Sequence, residues 1–140
     1  AYEEQARLAA TVRELSTPVI QVWENVLVLP LIGTIDAARA ARIMEDLLTG
    51  IVRYQAEMVI LDLTGVPTVD TDTAHYLMQT IKAAGLLGAQ TILVGIRSEM
   101  AQTITSLGVE LQGIPVLANL RAGIEYALAQ MGFQVAPVSE

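Results

Sequence analysis

The chain has 140 residues, 53% of them apolar and 16% charged, with no cysteine and a formal charge of −7 at pH 7. This supports one hydrophobic core in a single domain, excludes a disordered chain, and removes disulfide and thiolate chemistry, which fits a reducing cytoplasm and is equally open to a secreted chain. Eight scattered Lys and Arg, one Phe and one Trp exclude the clustered basic face or stacking platform that nucleic acid requires.

From the N-terminus, Glu3 to Leu15 carries Leu8, Val12 and Leu15 at helical spacing, which predicts a short amphipathic helix ending near Pro18. Val19–Trp23 and Val26–Leu29 alternate about a Glu24-Asn25 turn, the pattern of a β-hairpin. Gly33-Thr34-Ile35-Asp36 opens a helix with Thr34 or Asp36 as its N-cap, and Met44, Leu47, Leu48 and Ile51 form its apolar stripe. Met58–Leu63 is nearly all apolar, as in a strand buried on both faces.

The loop Thr64–Thr68 leads to a helix from about Thr71 to Gly85, striped by Ala74, Leu77, Met78 and Ile81. Thr91–Val94 is a second buried strand. Ser98 is expected to cap a short helix bearing Met100, Ile104 and Leu107. Ile114–Leu117 reads as a last strand, weakened as a central one by Pro115. Asn119 should cap the final helix, with Leu120, Ile124, Leu128 and Met131 inward, before a loose tail at 134–140. Strands alternating with helices after a hairpin predict a single α/β domain with a mixed sheet. No apolar run approaches the roughly 20 residues of a spanning helix, so no membrane partner is expected, and Tyr2-Glu3-Glu4-Gln5 is not a signal-peptide start.

Candidate chemistry is sparse. The lone His75 and the absence of cysteine rule out an ordinary zinc site, and only Asp62, Asp70 and Asp72 could converge on a harder cation. His75 lies one turn from Thr71, a spacing that also arises by accident, and no third group orients the pair. Glycine-rich phosphate loops are absent, so no nucleotide cofactor is implied. Asp62 stands near the end of a buried strand, as a receiver phosphoacceptor would. The loop Pro30-Leu31-Ile32-Gly33 brings no acidic partners, however, and the one lysine, Lys82, lies on a helix.

There remains Val69-Asp70-Thr71-Asp72-Thr73, at the start of the central helix. One reading is capping, with Asp70 or Thr71 accepting the free N–H groups there. The other is a phosphorylation switch at Thr71, tolerated by the helix dipole and held outward by Asp70 and Asp72. Both readings stand on these residues alone.

Four blocks carry a resemblance: Leu29-Pro30-Leu31-Ile32-Gly33-Thr34-Ile35-Asp36, Leu61-Asp62-Leu63-Thr64-Gly65-Val66-Pro67, Val69-Asp70-Thr71, and Gly95-Ile96-Arg97-Ser98-Glu99-Met100-Ala101-Gln102-Thr103. In this order and spacing they resemble a STAS domain, the C-terminal domain of RsbR-type stressosome proteins, over about Ser16 to Met131. The resemblance implies a STAS domain at 17–133, preceded at 1–16 by a linker helix from an N-terminal sensor domain. It implies Thr71 as phosphoacceptor, with Asp70, Asp72, Thr73 and Asp62 around it and no catalytic residue, metal or cofactor.

A second phosphorylatable threonine in the family follows the Gly-Thr-Ile-Asp block, where this chain has Ala37; Thr34 belongs to the block itself and is a poor substitute. The implied role is a cytoplasmic scaffold in sigma-factor control. Its implied partners are a small STAS antagonist, a serine/threonine switch kinase and further copies of itself. The alternatives are a STAS domain that binds a nucleotide or lipid, and a hydrolase built on Asp62 or Asp70.

Overall fold

The computed structural model describes residues 18–108, 111, 113–134 and 136–137; the expected linker helix lies outside them. In chain order the elements are β1 (Ile20–Trp23), β2 (Val26–Ile32), α1 (Ala37–Tyr54), β3 (Met58–Gly65), α2 (Thr71–Leu86), β4 (Gln90–Val94), α3 (Ser98–Ser106), β5 (Val116–Leu117) and α4 (Leu120–Gln130). The apolar run from Met58 becomes β3, the middle strand of a five-stranded sheet ordered β1-β2-β3-β4-β5. β1 is antiparallel to β2, turned back at Asn25 with φ +64°, and every later pairing is parallel. The sheet is therefore mixed and opens on a hairpin.

Alternation along the strands sorts the core into two layers. Leu27, Leu29, Val59, Leu61 and Leu93 point to the face covered by α1, α2 and α3. Val26, Val28, Ile60, Ile92 and Val94 point to the face covered by α4. On the first face α1 buries Ala40, Ile43, Leu47 and Ile51, while α2 buries Ala74, Leu77 and Ala84. Met44, Leu48, Met78 and Ile81, expected in the stripes, are half-buried flanks.

Several local expectations are corrected. β2 runs on through Pro30, which pairs with Asp62 of β3 before the register shifts. β1 pairs no further than Val28, so Pro30 has a strand on one side only, where a missing donor is tolerated. The short helix α3 is not capped by Ser98. Gly95, at φ +73°, turns the chain out of β4, Arg97 stands extended at the N-cap position without a side-chain cap bond, and Ser98 is the first helical residue. β5 is a two-residue edge strand that excludes Pro115.

The final helix sits on the sheet through small residues rather than large ones. Gly123 and Ala127 are its buried positions, and a Cβ on Gly123 would lie 2.7 Å from Val94 Cγ1. Leu120, Ile124, Leu128 and Met131 are half-buried beside this close approach. Asn119 caps α4 as expected, accepting from the Ala122 N–H at 2.9 Å.

Candidate functional site: two helix starts

Because β2 and β3 are parallel, α1 and α2 both begin at the carboxyl edge of the sheet, held together where the Gly33 N–H donates to the Gly65 carbonyl at 2.8 Å. The two starts are built alike. Asp36 (φ −96°, ψ 179°) and Asp70 (φ −81°, ψ 175°) are extended N-caps. Each accepts from the N–H three residues on: Arg39 to Asp36 at 2.8 Å, and Thr73 to Asp70 at 2.8 Å. Asp70 rather than Thr71 therefore caps α2, and Asp36 rather than Thr34 caps α1. The Thr73 N–H holds the Asp70 carboxyl below its ordinary value. The one proton of the Thr73 hydroxyl goes to the Ile35 carbonyl, so the backbone bond carries the shift.

With the cap assigned to Asp70, Thr71 is the first helical residue, exposed, and no hydrogen bond engages its hydroxyl among the described residues. The N–H groups of Thr71 and Asp72 also find no acceptor there, as expected of a helix's first turn. The equivalent first residue of α1 is Ala37, also exposed. Asp72 is exposed beside Thr71 and adds a carboxylate to the first turn.

The other residues of the expected environment lie elsewhere. Thr73 is buried, its hydroxyl donating to the Ile35 carbonyl at 3.4 Å. Asp62 Oδ1 accepts from both the N–H (3.0 Å) and the hydroxyl (2.6 Å) of Thr64, closing the end of β3. Gly95 packs against that turn so tightly that a Cβ would meet Thr64 Oγ1 at 2.0 Å. Asp62 thus holds a turn.

One participant carried no sequence signal. Arg39, on the first turn of α1, is buried and donates to the carbonyls of Ile32 and, at 3.0 Å, Thr34. Burial first, then the charge of Arg42, lowers its pKa, with Asp36 opposing; the guanidinium stays protonated all the same.

Little supports other chemistry. His75 is exposed and no hydrogen bond joins it to Thr71. Among the described residues no three His, Asp or Glu side chains converge as a metal site, and no helix is long and apolar enough to cross a membrane. A small apolar cavity under α2, lined by Leu61, Val69, Leu77, Met78 and Met100 among others, measures about 30 Å³, about a tenth of a small-molecule site. Open clefts of about 270 to 520 Å³ lie along α1, away from Thr71.

Comparison with known proteins agrees with this geometry. Residues 17–123 match the family model described as STAS domain. The chain is 46% identical over 128 residues to the RsbT co-antagonist protein RsbRA of Bacillus subtilis, an alignment covering 91% of this chain and 47% of that protein. It is 40% identical to RsbRB of the same organism, over 81% of this chain and 41% of that protein. The chain thus spans about half the length of the curated relatives it matches. Among solved structures, a Moorella thermoacetica RsbS variant superposes with a TM-score of 0.72 at 25% identity, covering 84% of this chain and 98% of that one. The chain belongs to the STAS domain family and is homologous to the RsbR-type co-antagonist proteins.

Proposed function

We propose that this domain is a non-catalytic scaffold of a stressosome-type complex, switched by phosphorylation on Thr71. It works in the cytoplasm within sigma-factor control of a stress response. It binds a small STAS antagonist, further copies of itself and a serine/threonine switch kinase, and is joined through residues 1–16 to an N-terminal sensor domain. The observation that carries this reading is the Thr71 hydroxyl: exposed, not hydrogen-bonded, and relieved of capping by Asp70. Kinship with the co-antagonist proteins supports the partners.

A phosphate on Thr71 adds about 1.5 to 2 negative charges and three acceptor oxygens. The helix dipole and the open N–H groups of Thr71 and Asp72 accommodate it, while the Asp70 and Asp72 carboxylates hold it outward. The fold is thereby kept while the docking surface changes sign and shape. A kinase that docks on the unmodified face then faces new charge, and its hold weakens.

The test is retention of the switch kinase on the immobilised full chain before and after phosphorylation. The unmodified chain should retain the kinase, and the phosphorylated chain should lose most of it. Equal retention of the kinase by both forms would remove the switch.

A further inference from the structure

Arg39 and Thr73 occupy the same position in their helices, the third residue after the capping aspartate, and both turn inward to the same loop. The Arg39 guanidinium holds the carbonyls of Ile32 and Thr34, and the Thr73 hydroxyl holds that of Ile35. Three carbonyls within four consecutive residues are thus fixed from two different helices. The outer side of this loop is open: Thr34 and Asp36 are exposed, and Ile32 is 68% exposed, an apolar side chain at the edge that carries Thr71.

We infer that the β2–α1 loop and the start of α2 form one surface that the kinase reads when it modifies Thr71, and that buried Arg39 is the positioning residue that holds the loop half in shape while Thr73 ties it to the helix start. The inference rests on Thr71 being the phosphoacceptor. An enzyme that delivers a phosphoryl group to Thr71 must bring its cleft to hydrogen-bond distance of that hydroxyl. It therefore covers neighbours tied to the same helix start. Ile32 offers it an apolar contact, and the Thr73–Ile35 bond links loop to helix. Arg39, only 9% exposed, acts from beneath.

The experiment compares the full chain with Arg39→Gln, Arg39→Lys, Thr73→Val and Ile32→Ser, reading the kinetics of Thr71 phosphorylation and amide hydrogen exchange across 32–36. Arg39→Gln should raise exchange at Gly33–Ile35 and lower kcat/KM about tenfold, mainly through KM, the scale of losing hydrogen bonds made by a charged donor. Arg39→Lys should recover part of both losses. Thr73→Val, which keeps the N–H to Asp70, should show a smaller change of the same kind. Ile32→Ser should raise KM without altering exchange.

Unchanged exchange in Arg39→Gln overturns the clamp whether or not Thr71 is a substrate. Faster exchange with unchanged kinetics overturns the loop's place in the kinase's surface. A parent chain never labelled on Thr71 instead overturns the phosphoacceptor reading on which the inference rests.

Discussion

The starts of α1 and α2 are two solutions to one local problem. Each helix leaves a parallel strand, is capped by an aspartate through the N–H three residues on, and turns its third side chain into the β2–α1 loop. They part at the first helical residue, where one carries the methyl of Ala37 and the other the hydroxyl of Thr71. A cap that comes from the preceding residue leaves the next side chain without structural duty, so that position can differ at little cost to the fold. Modification chemistry can therefore sit at one start and be absent from the other. The two helices also differ beneath their starts: α1 is seated on fully buried Ile43 and Leu47, whereas α2 spans the small apolar cavity beside Leu77.

The largest expected effect sharpens that difference in seating. Leu47→Ala should destabilise the domain by about 3–5 kcal/mol, and Leu77→Ala, already 8% exposed, by about 2–3 kcal/mol. Urea midpoints on the two variants check the order, and a reversal would break the contrast. Next, Asp36→Ala and Asp70→Ala should each lower the melting temperature by a few degrees, on the scale of lost N-caps. Equal losses would confirm the shared construction.

Replacing Ala37 by Thr is a smaller change with a qualitative readout. The domain should melt within roughly a degree or two of the parent, as expected for an exposed site. Incubated with the kinase, it should accept a second phosphate, seen as two modified residues by peptide mapping.

The smallest effect is a pH dependence. Asp70 has a folded pKa below its ordinary value. Its stabilising contribution is therefore complete above the unfolded carboxylate value and lost as pH falls through the lowered one. The melting-temperature gap between the parent and Asp70→Ala should be full at pH 6 and close as pH falls through the carboxylate range. A gap that widened toward acid would reverse the sign.

Much of this edge was legible in the sequence. The apolar runs of β3 and β4 announced buried strands, and Asp70-Thr71-Asp72 after a strand announced a helix start. Which residue caps was not legible, because Asp and Thr both cap well; the choice is made by the extended backbone at Asp36 and Asp70. The inward turn of Thr73 and the burial of Arg39 were hidden for another reason. Their partners, Ile35 and Ile32, are loop carbonyls, and a carbonyl has no sequence signature. The packing of α4 is not legible in its large apolar residues, because the smallest side chains make the closest contact with the sheet. Gly123 and Ala127 permit the close approach, leaving Leu120 and Ile124 as flanks.

The central claim concerns one hydroxyl. Phosphorylating the full chain with the switch kinase and ATP, and mapping the product by mass spectrometry, tests it most directly. One phosphate should appear, on Thr71, and vanish in Thr71→Ala while Thr34 and Thr73 stay unmodified. A Thr71→Ala chain labelled as strongly as the parent would contradict the account.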